Sequence, residues 1–392
     1  MDYKYVILID KTVKIEKYIG KTTGVIRTSI NNAFRPKAQE VIDPNIVIPT
    51  YIEGYPVSIL GSHLFNGAKF IESLVIPDTV TEIEQCAFID CYKLKEVKLS
   101  KNLQKIGENA FYGIPVESIV IPGSTQSIGS CAFDSCVFLK KLTIEDGVEE
   151  IDTAAFNYCP KLEEINIPKS VVNIRFGAFT YISSVEKITV DPKNKIYDSR
   201  NNCNAIIETE TNKLIVGCKN TVIPEDVESI ENCAFMGNYL LTKINIPDTV
   251  KSIGNRAFKA CKSLKKITFP KDIEKIGSQV ISACRALETI EFKDITKLKS
   301  FFRNNFDFLT NLKEVIIHGE VCKKVARVFV EYSLYSDNDI FIQEKILDKL
   351  TKKDLENVVE EYKKRENAPQ MQMIIQIYNK KYGKNKGPNL KI

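Results

Sequence analysis

The residues of this chain best suited to chemistry are its 11 cysteines, its two histidines and its acidic side chains, and their spacing limits what they can do. Cys86 with Cys91, and Cys131 with Cys136, repeat one short spacing that raises thiolate metal binding as an option, yet only His63 and His318 are there to supplement the thiols. An odd total without an evident pairing scheme disfavours a disulfide framework. A histidine-dependent triad would draw on the same His63 and His318, which lie near opposite ends of the patterned sequence. Neighbouring carboxylates such as Glu149, Glu150, Glu163 and Glu164 stand in surface-like positions, with nothing apolar in the pattern to raise a carboxyl pKa for glycoside hydrolysis. GKTTG, residues 20–24, matches part of a phosphate-binding loop but lacks the G-x-x-x-x-G-K-[ST] spacing. The expectation is therefore a protein that is not an enzyme, with no catalytic residues, no cofactor and no metal.

The cysteines instead follow a register. Cys86, Cys131 and Cys233 stand two residues before a Phe, and Cys91, Cys136, Cys159, Cys261 and Cys284 three after one (Ile281 taking the place of Phe before Cys284). That Phe recurs at 65, 88, 111, 133, 156 and 179, then after a longer gap at 235 and 258, with Ile281 and Phe306 as degenerate successors. The unit is about 23 residues, roughly L-x-x-I-x-[IF]-P-x-x-V-x-x-I-G-x-x-A-F-x-x-C, and a unit this short cannot bury its own apolar face, so copies must stack. Within it, Leu162, Ile165 and Ile167, or Leu264, Ile267 and Phe269, read as a short strand. Pro77, Pro122, Pro168, Pro224, Pro247 and Pro270 end those strands, since proline cannot donate a ladder hydrogen bond. A second apolar pair follows, as in Val80 with Ile83, before the Ala-Phe step. Periodic cysteine in such a stack reads as a buried, medium-sized hydrophobe packed against its copy in the next coil.

Units such as LEEINIPKSVVNIRFGAF, LTKINIPDTVKSIGNRAFKAC and LKKITFPKDIEKIG resemble those of the BspA-like, or Treponema pallidum-type, leucine-rich repeat family. GYPVSILGSHLF, residues 54–65, looks like the family's entry into the first full repeat, and residues 196–224 are similar to its longer hairpin-containing repeat. The resemblance implies an α/β-type repeat solenoid, a leucine-rich repeat array with short parallel strands on one face, an N-terminal β-hairpin cap and a C-terminal helical cap. It also implies roles in adhesion and protein recognition, not a particular activity.

Domain boundaries follow from the changes of pattern. Residues 1–43 read as an N-terminal cap with an insertion, in which residues 3–19 alternate as a hairpin covering the first coil's edge. Residues 44–320 form the solenoid, with the longer repeat at about 190–224. Residues 321–381 turn helical: Val325, Val328 and Phe329 share one face, Thr351 caps a stripe of Leu355, Val358, Val359 and Tyr362, and Pro369 opens a last helix with Met373, Ile374 and Tyr378. Residues 382–392 read as a flexible basic tail. The helical part either closes the last coil or docks a partner or a second copy.

Composition fits a repeat protein in water, 44% hydrophobic and 27% charged, and a net charge of only +5 gives nucleic-acid binding no electrostatic support. The first residues lack the apolar core of a signal peptide and no stretch is long and apolar enough for a membrane helix. These features favour a cytoplasmic protein, with a cell-surface or secreted one as the alternative. Function is expected on two ladders of outward strand residues. One runs Ser73, Glu96, Ser118, Lys141, Glu164, Lys187, Lys243, Lys266, Thr289 and Glu314; the other runs Val75, Lys98, Val120, Thr143, Asn166, Thr189, Asn245, Thr268, Glu291 and Ile316. The reading is a monomeric binding or adhesion module for a protein partner, with carbohydrate or cell-wall binding, or a purely structural array, as alternatives. Tyr92, Tyr112, Tyr158 and Tyr181 fall near the loops, where they either pack over the turn or face a ligand.

Overall fold

The computed structural model describes residues 3–18, 43–298, 303–318, 326, 351–364 and 368–382. The chain divides into two compact units, Met1–Glu210 with Val216–Asn220, and Thr211–Ile215 with Thr221–Ile392.

In the first unit every coil contributes one short strand to a parallel row. Ser73–Val75 lies beside Asn45–Val47 and Glu96–Lys98, Ser118–Ile121 beside Lys141–Ile144, and Glu164–Ile167 beside Lys187–Val190. From Ser73 onward equivalent residues pair, Ser118 with Lys141 and Glu164 with Lys187, so the sequence repeat becomes the strand register. Alternation sends Ile119, Ile121, Ile165 and Ile167 into the core and the residues between them outward.

The second apolar pair of each unit forms a further parallel row, which the sequence pattern indicated only as a pair of apolar positions. Tyr55–Leu60, Glu82–Ile83, Lys105–Ile106, Ser127–Ile128, Glu150–Ile151 and Asn173–Ile174 pair in order. Apart from the first, these strands are two residues long because the chain turns on both sides. Before them, the Pro carbonyl accepts the N–H of the residue three further on, as Pro77 does from Val80 at 3.0 Å and Pro122 from Thr125 at 2.9 Å. After them, the I-G step brings two coils together: a Cβ on Gly107 would lie 2.6 Å from the Gln85 nitrogen, and one on Gly129 2.7 Å from the Ile106 oxygen. A side chain at Gly107 or Gly129 would force this backbone to shift, whereas Glu84, Asp152 and Arg175 occupy the equivalent position in other coils.

The Ala-Phe step is a tight turn with a fixed backbone pattern. The residue two before the Phe has positive φ in successive coils (His63, Cys86, Asn109, Cys131, Ala154 and Gly177), and so does the residue two after it. At these residues and at the Phe between them, the N–H donates to a carbonyl of the following coil. Cys86, Phe88 and Asp90 reach Glu108, Ala110 and Tyr112 at 2.8, 2.8 and 2.9 Å. Beneath the turn the Phe rings of residues 65, 88, 111, 133, 156 and 179 stack with centroids 5.2–5.5 Å apart. The first coil's edge is covered as expected: Tyr3–Ile7 and Val13–Tyr18 form an antiparallel hairpin, and the second of these strands runs parallel to Tyr55–Leu60. The expected insertion after it lies largely outside the described residues. The longer repeat contains an antiparallel pair, Tyr197–Asp198 with Ala205–Glu208.

The second unit repeats the scheme. Lys266–Phe269, Thr289–Phe292 and Glu314–Ile317 form one parallel row. Lys213 and Leu214 of the strand Lys213–Gly217 begin the other, followed by Ser229–Ile230, Ser252–Ile253 and Lys275–Ile276. Segment 241–246, expected to be a strand, keeps Leu241 and Ile246 buried but has no regular strand geometry. In the degenerate coil the fully buried Asn305 takes over part of the backbone's work: its amide oxygen accepts the Val280 N–H and its amide nitrogen donates to the Gly277 carbonyl at 3.0 Å.

Helices α1 (Lys352–Lys364) and α2 (Ala368–Tyr382) pack together in this unit. Thr351 caps α1 reciprocally: its Oγ1 accepts the Asp354 N–H at 3.3 Å, while the Asp354 carboxylate accepts the Thr351 N–H at 2.9 Å. Leu355 and Val359 of α1 are buried, as are Ile374, Ile377 and Tyr378 of α2, and the Tyr378 hydroxyl donates to Glu356 at 2.9 Å. Of the expected helix at 322–332 only Ala326 is described, helical and buried, and the tail beyond Tyr382 lies outside the described residues.

The cysteines three after the Phe are buried, and they also serve as donors. The thiols of Cys91, Cys136, Cys159, Cys261 and Cys284 donate to the carbonyls of Phe65, Phe111, Phe133, Phe235 and Phe258, at 3.1–3.4 Å. Burial pushes the Cys91 thiol up to about 12 and the Cys159 and Cys261 thiols well above the ordinary value. All ten described cysteines are free thiols. Cys86 and Cys131, in the left-handed turn position, are only partly buried.

Two outcomes are expected. Phe133→Ala, inside the ring stack, should lower the unfolding free energy by about 3–5 kcal/mol in urea titration, whereas Phe176→Ala, at a ring 51% exposed, should change it by no more than about 0.5 kcal/mol. Iodoacetamide at pH 8 should modify Cys86 and Cys131 of the folded protein well before Cys91, Cys136 and Cys159, with all of them equalised in urea. Uniform labelling of the native chain in peptide mass spectra would contradict the buried-donor role.

Candidate binding face

The outward residues of the strand rows are where alternation puts them. In the first unit Glu96, Lys98, Ser118, Val120, Lys141, Thr143, Glu164, Asn166 and Lys187 are exposed, while Ser73, Val75 and Thr189 are half-buried. In the second unit Lys243, Asn245 and Lys266 are exposed, and Thr268, Thr289 and Glu291 are half-buried. Lys243 and Asn245 do not sit on a strand, so the ladder is broken there. At its other end the face begins one coil earlier than expected, with Asn45 and Val47 paired to Ser73 and Val75. The signal was present in the sequence: Asn45 to Pro49, NIVIP, repeats the strand-and-proline pattern.

The two units use these positions differently. In the first, the charged face residues Glu96, Lys98, Lys141, Glu164 and Lys187 make no side-chain hydrogen bond or ion pair with another described residue. Some neighbouring charges do pair: Lys140, one position before Lys141, with Glu117, and Glu186, one position before Lys187, with Lys219, each at 2.9 Å. Polar face residues make short lateral bonds, Ser73 to Asn45 at 2.7 Å and Thr189 to Asn166. A shallow hollow of about 450 Å³ beside Glu164 is lined also by Lys140, Lys161 and Glu186.

In the second unit Glu291 gathers the polar groups of the face. It accepts from Lys266 at 2.8 Å, His318 at 3.1 Å and Thr268 at 3.1 Å. The Lys266 hydrogen bond is the largest reason that its carboxyl is held down to about 2, with His318 and Thr268 adding to it against partial desolvation. This part of the face is satisfied from within.

Other residues singled out by the sequence are engaged locally. His63 sits in the left-handed turn position with its ring nitrogen 3.3 Å from the Asn66 amide. Glu150 accepts from Arg175 at 2.8 Å and from Asn173 at 2.8 Å. Among the described residues no three His, Cys, Asp or Glu side chains are grouped so as to hold a metal ion, and no described helix is long and apolar enough to cross a membrane. Of the four tyrosines near the loops, Tyr92 and Tyr158 are 58% and 41% exposed, and Tyr112 and Tyr181 are half-buried.

Comparison with known proteins matches this architecture. The BspA type leucine-rich repeat region matches residues 58–186, 105–227 and 205–333, which together span well over half of the chain. A leucine-rich cell surface protein from Faecalibacterium prausnitzii is similar in structure at 26% identity, over 81% of this chain and 94% of that one, with a TM-score of 0.55. A leucine-rich repeat protein from Eubacterium ventriosum is similar at 24% identity, over 81% and 77% of the two chains, with a TM-score of 0.55. The pneumococcal vaccine antigen PcpA shares the fold at 19% identity over 82% and 88%, with a TM-score of 0.60. No curated protein matches the sequence. With its repeat, its two parallel strand rows and the family match over the same coils, the chain belongs to the BspA-type leucine-rich repeat family.

Proposed function

We propose that this chain is a non-enzymatic, monomeric binding module that recognises a protein partner through the strand face of its first unit. The observation that carries this reading is the row Glu96, Lys98, Lys141, Glu164 and Lys187: five exposed charges without described side-chain partners, held on strands of fixed register, while neighbouring charges are paired. Charges arranged in this way favour selection among partners and faster encounter more than raw affinity. Neither ladder carries an aromatic or Arg anchor, so the contact is broad and shallow, and its energy is spread over several coils. A stable protein interface needs roughly 1,200 Å² or more in total, which several adjacent coils can share. The absence of aromatic rings from the ladders also makes this face a poor platform for sugars. The description of the Faecalibacterium prausnitzii protein as a cell surface protein supports a surface location over the cytoplasmic one.

The test is photocrosslinking from the intact chain, with a crosslinking residue at Thr143 or Asn166 and a control at Lys169, against lysate and surface fractions of the native organism. The expected result is one saturable protein adduct from the face positions and none from the control. The triple reversal Lys141→Glu, Glu164→Lys and Lys187→Glu should weaken that capture at least tenfold without moving the melting temperature. Equal adducts from the control position, or capture indifferent to the reversal, would sink the reading.

A further inference from the structure

Cys261 and Cys284 stand on adjacent coils of the second unit in the same register, both fully buried and both free thiols. Backbone hydrogen bonds bracket the pair on either side. Before it the Ala260 N–H donates to the Ser282 carbonyl at 2.8 Å, and after it the Ala286 N–H donates to the Lys262 carbonyl at 3.2 Å. One carbonyl, that of Phe258, accepts both the Cys261 N–H at 3.2 Å and the Cys284 thiol at 3.1 Å, which places the Cys284 sulfur beside the Cys261 backbone. Backbones tied in this way run about 4.8 Å apart, inside the range of about 4.4–6.8 Å between Cα atoms that a disulfide spans.

Cys136 and Cys159 are the comparable pair of the first unit, and two differences separate them from Cys261 and Cys284. The Ser135 N–H donates to the Asn157 carbonyl at 2.9 Å before that pair, but no bond from Lys161 to Val137 follows it among the described residues. The second difference is what pairing leaves behind, because a disulfide withdraws both thiols from the Phe carbonyls they serve. The Phe235 and Phe258 carbonyls keep backbone donors, the N–H groups of Asn238 at 3.1 Å and Cys261 at 3.2 Å. Among the described residues no backbone N–H serves the Phe111 or Phe133 carbonyl, so oxidation there would strand two buried acceptors.

We propose that Cys261 and Cys284 form a disulfide when the chain folds in an oxidising compartment and remain thiols when it folds in a reducing one. The reaction is exchange with a small-molecule or protein disulfide. One cysteine thiolate attacks that disulfide, forming a mixed disulfide and releasing one thiol; the other cysteine thiolate then attacks the cysteine sulfur of the mixed bond and releases the second thiol. Two cysteines are oxidised, the oxidant is reduced to two thiols, and the two cysteine protons end on them. Exchange has to precede closure of the coils, since burial excludes the oxidant and pushes the Cys261 thiol well above its ordinary value. The finished core then preserves the redox state in which it formed. This inference stands independently of the protein-binding face.

The test compares the full chain made in a reducing bacterial cytosol with the chain exported to an oxidising periplasm, each alkylated in urea and mapped by mass spectrometry without reduction. The exported chain should carry the Cys261–Cys284 bond in most molecules, the cytosolic chain should carry both thiols, and Cys136 and Cys159 should be alkylated in each. Refolding the reduced, urea-denatured chain in a glutathione redox buffer should yield the same single bond. Dithiothreitol should open it at least tenfold more slowly in the native chain than in urea. Thiols at both positions in the exported and refolded chains would overturn the assignment. So would a Cys136–Cys159 bond formed as readily, or equal opening rates in the native chain and in urea.

Discussion

Everything in each unit depends on keeping equivalent residues of successive coils aligned, and the strictest enforcement is at the Ala-Phe turn. There three backbone N–H groups per coil, as at Cys86, Phe88 and Asp90, bind carbonyls of the next coil. Buried amides without such partners would each cost a desolvation penalty. The alignment stacks the Phe rings, brings the Cys thiols to the Phe carbonyls and lays the two strand rows in register. The 22-residue step from Phe111 to Phe133 keeps these bonds, whereas across the 25-residue step from Ile281 to Phe306 the Asn305 side chain accepts the Val280 N–H. The core is therefore a set of repeated local agreements, and no one residue is its centre.

The same alignment makes the exposed faces informative. Outward residues on neighbouring strands are brought side by side whether or not they suit one another. Where they suit, as Lys266, Glu291 and His318 do, the face closes on itself. Elsewhere Lys141, Glu164 and Lys187 stand on adjacent coils without locking together. That difference between the units comes from which side chains the stacking sets near enough to bond.

Much of this was legible in the residues. The Phe spacing set the strand register, the prolines marked the strand ends, alternation at residues 3–18 indicated the hairpin, and Thr351 indicated the start of α1. The second strand row was not legible, because two residues are too few to show a period of two. The left-handed positions were hidden as well: His63, Cys86, Asn109 and Ala154 occupy one of them in different coils, so no single residue type announces it. The donor role of the cysteines, and the ties around Glu291, arise between residues 23–27 apart in sequence and need the stacked geometry to appear. Residues 241–246 kept the pattern of a strand without becoming one, since buried side chains alone do not provide ladder partners.

The turn hydrogen bonds all run one way. In each unit the N–H of one coil points toward the coil that follows, and the carbonyl of the following coil points back, so the peptide dipoles along this edge add. Along this edge the carbonyls face the start of the row and the N–H groups its end, the reverse of the polarity of an α-helix. The neighbouring strand row runs the opposite way, the Gly107 N–H donating back to Ile83 and the Gly61 N–H to Ile15 of the hairpin, so the element that closes the start supplies an acceptor there and the two edges of the stack oppose one another.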